Sequence, residues 1–389
     1  ITGAYYYAID YTVLDTIPAY KFSSLVLADT LPSGVDYVSG LKVSRLEDGK
    51  NKTSWFTIST ENDVVRVEAT ADALNLNDFY GYTYRITFKV KMDPTEIEPV
   101  YQASSGKDIY TVSNKGSVRV KRGNASSYTA TNTVTTTASR ELPVITVYKK
   151  NEKEELLSGA QYQIAAKDNI TSLSGKVLFK AGAVVGTITT GKDGKAVSER
   201  LHPGTYTVTE ITAPRGYALN AKAQNAKINY LDQETKKGSA ELSFVNKRLY
   251  STIKVIKEID NADIVWAHGN PIFTFKVTGK DVLGNMHTYY DTVEFTKTGV
   301  GTGAKASLTA VFNVFAGTYT VSEEPTARYQ LAEVHSVVNG IVSGKTAVIN
   351  VEGKQTDTTG PVGSAVFYNR KTTDGGQSHT AFVRNSIKK

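Results

Sequence analysis

Two sets of three residues stand in the same order along this chain: Lys149, Glu210 and Asn246, then Lys257, Glu323 and Asn369. The separations are 61 and 36 residues in the first set (149 to 210 to 246), and 66 and 46 in the second (257 to 323 to 369). Each residue lies in a matching segment. Ile145-Thr-Val-Tyr-Lys149 pairs with Ile253-Lys-Val-Ile-Lys257, Tyr206-Thr-Val-Thr-Glu210 with Tyr319-Thr-Val-Ser-Glu323, and Phe244-Val-Asn246 with Phe367-Tyr-Asn369. A neutral lysine amine is a nucleophile, and a protonated carboxyl can polarise an amide carbonyl by donating a hydrogen bond to it. Attack at the asparagine Cγ, with ammonia leaving, joins Lys to Asn by an isopeptide bond. Such a reaction happens once per molecule, so it is self-processing and not enzymatic turnover on an external substrate.

For these groups to react, the fold must bring them together in a dry place. On a strand, residues i, i+2 and i+4 share a face. Ile145, Val147 and Lys149 therefore point one way, as do Tyr206, Val208 and Glu210, and Leu242, Phe244 and Asn246. Ile253/Val255/Lys257, Tyr319/Val321/Glu323 and Ala365/Phe367/Asn369 repeat the pattern. One polar residue in register with an apolar face is usually a strand end reaching solvent. Three types in one order, twice, favour a meeting inside the core. Burial then disfavours charge, which frees the amine and keeps the proton on the acid.

The rest of the chain agrees with a β fold. Period-2 alternation rich in Val, Ile, Thr and Tyr recurs, as in Val65-Arg-Val67-Glu, Thr83 to Lys91 and Phe273 to Val277. Turn sequences such as Lys192-Asp-Gly194, Pro203-Gly204 and Asn339-Gly340 separate these runs. Only a short stretch near Asp72–Asp78 has helical composition. The fold class is all-β, as tandem Ig-like β-sandwich domains. Thr129 to Leu142 and Lys247 to Tyr250 read as linkers, giving units at 1–142, 143–248 and 249–372, with a polar tail at 373–389.

The 389 residues contain no cysteine, which removes disulfides, thiolate metal sites and cysteine nucleophiles. Five scattered histidines form no metal-ligand spacing, and no metal or cofactor is expected. The formal charge of +7 is spread too thinly for a nucleic-acid footprint. No apolar run is long enough to span a membrane. Residue 1 is Ile with no leader pattern behind it, and the last residues are polar, which reads as a mature or excised fragment. Gly191-Lys-Asp-Gly-Lys195 reads as a hairpin turn and not a phosphate loop, Gly299 to Gly303 as a flexible loop, and Trp55 and Trp266 as packing residues.

The second and third units resemble the CnaB-type domains of Gram-positive sortase-assembled pilins and adhesins. The resemblance rests on Tyr206 to Glu210 with the following Ala213-Pro-Arg-Gly-Tyr217, and on Leu157-Ser-Gly-Ala160. The third unit carries Tyr319 to Glu323, with a second acid at Glu324 and the shorter Pro325 to Tyr329. The resemblance implies bonds Lys149–Asn246 and Lys257–Asn369, with Glu210 and Glu323 as the autocatalytic acids. The first unit resembles the CnaA-like domain of backbone pilins through Asp10 to Pro18, Leu27-Ala-Asp29-Thr-Leu-Pro32 and Val112-Ser-Asn114. That resemblance implies Asp29 as acid and Asn114 as acceptor, with Asn132 as a rival acceptor. The family's lysine would lie before residue 1, and Lys21, in loop-like sequence, is a poor substitute.

What the resemblance implies is a structural protein. It would be the shaft subunit of a covalently assembled surface pilus, anchored to the cell wall of a Gram-positive bacterium and joined by sortase to identical copies. A minor pilin or wall-anchored adhesin that binds host matrix or cells is the alternative reading. No Leu-Pro-x-Thr-Gly sorting signal is present. The family's Tyr-Pro-Lys-Asn linking motif has a near match at Tyr148-Lys-Lys-Asn151, which makes Lys150 the candidate inter-subunit lysine, on the opposite face from Lys149. A secreted glycosidase would need paired carboxylates in a cleft, and the sequence gives that reading no support.

Overall fold

The computed structural model describes residues 3–352 and 361–372; the tail at 373–389 lies outside them. Strands dominate, and their apolar faces close into three separate cores. The fold is a tandem of Ig-like β-sandwiches. The one α-helix among the described residues, Ala71–Asn75, is capped by Thr70, whose hydroxyl accepts from the Ala73 N–H.

The first core gathers Leu25, Leu27, Phe79, Tyr84, Phe88 and Tyr110, with their neighbours, between antiparallel sheets. Tyr5–Val13 is an edge of a three-stranded sheet and, among the described residues, pairs only with Tyr82–Met92. Ser24–Thr30, which carries Asp29, lies between Gly116–Arg122 and Val64–Ala69 in a second sheet. Lys107–Asn114 pairs with Val134–Glu141. Trp55 and Trp266 pack, partly buried, against the first and third cores.

The second and third sandwiches share one topological feature that matters for chemistry. Their opening and closing strands are parallel neighbours. Ile145–Asn151 runs beside Ala240–Asn246, and Tyr250–Asp260 beside Val362–Lys371. The acid arrives from the facing sheet, on Gly204–Thr212 in one unit and Gly317–Glu323 in the other. Alternation buries Ile145, Val147 and Lys149 together, and likewise Ile253, Val255 and Lys257. The hairpin turn at Gly191–Lys195 packs on the opening strand: Lys149 N–H donates to the Gly194 carbonyl at 2.8 Å.

Polar contacts tie the sandwiches end to end. Tyr230 of the second donates to the buried Asp108 of the first at 2.9 Å. Arg248 pairs with the buried Asp281 of the third at 2.8 Å and lies over the Phe315 ring.

Candidate functional site

In the second sandwich Lys149, Glu210 and Asn246 meet, each 1% exposed or less. Lys149 Nζ lies 2.5 Å from Asn246 Oδ1 and 2.9 Å from Glu210 Oε1. Asn246 Nδ2 donates to the same Glu210 oxygen at 2.9 Å. The acid thus bridges the amine that would attack and the amide nitrogen that would leave. The Tyr162 and Phe244 rings, 4.7 Å apart, wall the site, with Lys149 Nζ 5.7 and 5.9 Å from their centroids. Burial pulls the Lys149 ammonium below its ordinary range, against the opposing pull of Glu210.

The parallel register explains the geometry. Lys149 stands opposite Phe244, so Asn246, two residues on, shares its face one step along the neighbouring strand. A lysine stem is long enough to cover that step.

The third sandwich places the same groups together with one difference. Lys257 Nζ lies 2.9 Å from Glu323 Oε2, and Asn369 Nδ2 donates to Glu323 Oε1 at 2.5 Å. The amine, however, donates to the Phe367 carbonyl at 3.0 Å, and Asn369 Oδ1 is buried without a partner. Lys257 is fully buried over the Phe273 ring at 4.5 Å. Burial lowers its pKa to about 8, and burial also raises that of Glu323; each partner opposes the other's shift. The pair therefore lies close to the neutral amine and neutral acid that amide attack needs.

In the first sandwich the acid and amide meet, and no lysine amine among the described residues is hydrogen-bonded to either. Asn114 Nδ2 donates to Asp29 Oδ2 at 2.9 Å, and both residues are buried. Asp29 Oδ1 has no partner among the described residues, and burial raises the carboxyl's pKa against the lowering effect of the Asn114 bond. The pair lines a cavity of about 320 Å³, whose wall includes Tyr7, Ile9, Tyr11 and Asn132. Asn132 is exposed at that wall and has no bond to Asp29 among those described; its carbonyl accepts from Thr131. Lys21 is engaged elsewhere: its amine donates to the Asn75 carbonyl at 2.5 Å. Lys150 is turned away from Lys149, half-buried and paired with Glu154 at 2.9 Å.

Two contributors carry no signal in the sequence pattern. The Asn220 N–H donates to Glu210 Oε2 at 2.9 Å, and the Phe367 carbonyl holds Lys257. Both are main-chain groups, and main-chain partners leave no mark on side-chain periodicity. Among the described residues no group of three or more His, Asp or Glu could hold a metal ion.

Residues 143–245 match the family SpaA, described as a prealbumin-like fold domain. The chain is 30% identical over 159 residues to the trypsin-resistant surface T6 protein of Streptococcus pyogenes serotype M6, which covers 36% of this chain and 28% of that protein. Similar solved structures include the TIE protein of Bacillus anthracis, at 14% identity and a TM-score of 0.41, covering 95% of this chain and 58% of that one. The major pilin subunit BcpA of Bacillus cereus is similar at 17% identity and 0.31, covering 63% and 65%. Domains D2 and D3 of the major pilin SpaD from Corynebacterium diphtheriae are similar at 20% identity and 0.27, covering 64% and 94%. The chain spans 28% of the curated relative and 58% of the TIE chain. Major pilins are thus among the proteins that this chain resembles.

Proposed function

We propose that this chain is a structural subunit of a covalent bacterial surface fibre, whose second and third sandwiches are each locked by a self-formed Lys–Asn bond. The observation that carries the reading is the contact of Lys149 Nζ with Asn246 Oδ1, bridged by Glu210 in a water-excluded core. In the reactive state the proton shared by the pair sits on the acid, and the amine is free. The Lys149 Nζ lone pair attacks Asn246 Cγ while Glu210 stabilises the charge that develops on the amide. Lys149 Nζ gives up one proton, which Glu210 Oε1 passes to Asn246 Nδ2; the C–Nδ2 bond breaks, the nitrogen departs as ammonia, and an amide joins the two side chains. Lys257, Glu323 and Asn369 repeat these steps once the amine swings from the Phe367 carbonyl to Asn369. Each site reacts once, so the chain is no enzyme, and no cofactor takes part.

The first sandwich has the acid and acceptor of the same reaction in Asp29 and Asn114, and its bond would need an amine from outside the described residues. The subunit reading places the chain outside the cell, on the wall of a Gram-positive bacterium. There sortase would join identical copies head to tail, with Lys150 the candidate linking lysine.

The mechanical logic supports a shaft. The opening strand of each sandwich begins at one end and the closing strand leaves at the other, so tension shears two parallel neighbours. A covalent bond between them carries the load before the hydrogen-bonded strands inside the loop are pulled. Single-molecule pulling tests this. The second and third sandwiches should give no unfolding extension, and Lys149→Ala or Lys257→Ala should each add one unfolding event. Full extension of the wild-type chain would overturn the proposal.

A further inference from the structure

We infer that Asn220 is a positioning residue for bond formation in the second sandwich, gripping the acid with its main chain and the acceptor strand with its side chain. The inference rests on the self-closure reading above.

Asn220 lies in the segment that follows the acid-bearing strand Gly204–Thr212 and returns along the closing strand Ala240–Asn246. Its N–H donates to Glu210 Oε2 at 2.9 Å. Its side-chain Nδ2 donates to the Val245 carbonyl at 3.1 Å, one residue before the acceptor Asn246. Its Oδ1 accepts from the Lys222 N–H at 3.2 Å, which fixes the orientation of the amide. On the other side of Asn246, the Lys247 carbonyl accepts from the Ala218 N–H at 2.9 Å. The returning segment therefore holds the main chain on both sides of the acceptor.

The consequence for Glu210 is a division of labour between its oxygens. Oε2 is occupied by the Asn220 N–H, which leaves Oε1 to face both Lys149 Nζ and Asn246 Nδ2. The other elements packed on this acid bring Lys149 from the opening strand and Tyr162 from the strand paired with Glu210. The third sandwich is built differently. There the closing strand is flanked by a paired, bulged strand, Tyr329–Val338, and among the described residues Glu323 Oε2 has no aligned donor although Lys257 stands 2.9 Å away. In that unit the amine sits on the Phe367 carbonyl and not on the acceptor. The unit with the double grip is the one whose amine touches its acceptor, as expected if reacting groups must be held close to the attack geometry.

The two grips can be separated by experiment. The full chain is translated in vitro, trapped unfolded in urea, and diluted to fold at a series of pH values. Closure of each unit is followed by intact mass and by peptide mapping of Lys149–Asn246 and Lys257–Asn369. Asn220→Ala keeps the N–H and loses the Val245 grip. It should slow closure of the second unit by about fivefold, the size set by one neutral hydrogen bond, with its pH limits unchanged. Asn220→Pro also removes the N–H. Loss of the donor that holds Glu210 Oε2 should slow second-unit closure further while the unit still folds at the wild-type rate by tyrosine fluorescence, a split between folding and bond formation that a purely structural grip would not produce. Third-unit closure should be unaltered in both variants. If Asn220→Pro leaves the second unit unfolded, the Asn220→Ala rate decides alone. Wild-type closure with both variants reacting at the wild-type rate overturns the role of Asn220. Absence of closure in the wild type overturns instead the reading on which it rests.

Discussion

Replacing Asn246 by Ala removes the acceptor while leaving Lys149 and Glu210 paired, so it isolates the cross-link from the cost of stranding a buried charge. Lys149 and Asn246 are 97 positions apart. Closing a loop of that size removes denatured-state entropy worth about 4.7 kcal/mol in the chain-entropy description of a cross-link. A sandwich of this size loses roughly 4–8 °C of melting temperature per kcal/mol, so the transition of the second unit should fall by about 20–35 °C. Scanning calorimetry of the full chain reads this directly, because the other units serve as internal references. One transition should move down and the others should stay within a few degrees. Trypsin should then cut within 150–245, where the wild type should resist it. If every transition of Asn246→Ala coincides with the wild type, the second unit carries no stabilising bond and the reasoning fails.

Three further outcomes follow from the same geometry. Glu210→Ala should leave Lys149 and Asn246 unjoined and should destabilise the second unit by about 3–5 kcal/mol beyond the loss of the bond itself, because a buried amine loses its partner; peptide mapping that still finds the bond would assign the acid's role to another group. Closure of the third unit on folding should follow a bell in pH. Above about 8 the Lys257–Glu323 pair loses its shared proton and the acid can no longer polarise the amide. At low pH the pair takes a second proton and the amine is no longer free; a rate that keeps rising to pH 10 would contradict this. Gly194→Ala should cost the second unit about 1–3 kcal/mol. Gly194 sits at φ +64, and an added Cβ would lie 2.9 Å from the Lys149 carbonyl, so denaturant unfolding at the wild-type midpoint would show that the hairpin does not hold the reactive strand.

The β class and the meeting of the two Lys–Glu–Asn sets were legible because strand parity is written in the side chains. Ile145, Val147 and Lys149 alternate with outward residues, and so do Tyr206, Val208 and Glu210; period-2 alternation converts directly into one shared face. What parity could not reveal was supplied by the main chain or by packing. Lys257 donates to the Phe367 carbonyl, a group every residue has, so no sequence pattern distinguishes its rotamer from that of Lys149. Asn220 lies in an irregular return segment, where spacing predicts no face at all. Asp108 and Asp281 read as ordinary strand residues, and only the end-to-end packing of the sandwiches makes them buried partners of Tyr230 and Arg248. The cavity beside Asp29 and Asn114 likewise depends on the edge strand Tyr5–Val13, and pairing between distant strands is not encoded in local alternation.

The central claim is that side chains buried together in the second and third sandwiches become covalently joined, and intact mass tests it most directly. The expected chain is lighter than its sequence by two ammonia molecules, with cross-linked peptides that map to Lys149–Asn246 and Lys257–Asn369. A folded chain whose mass equals that of its sequence would contradict it.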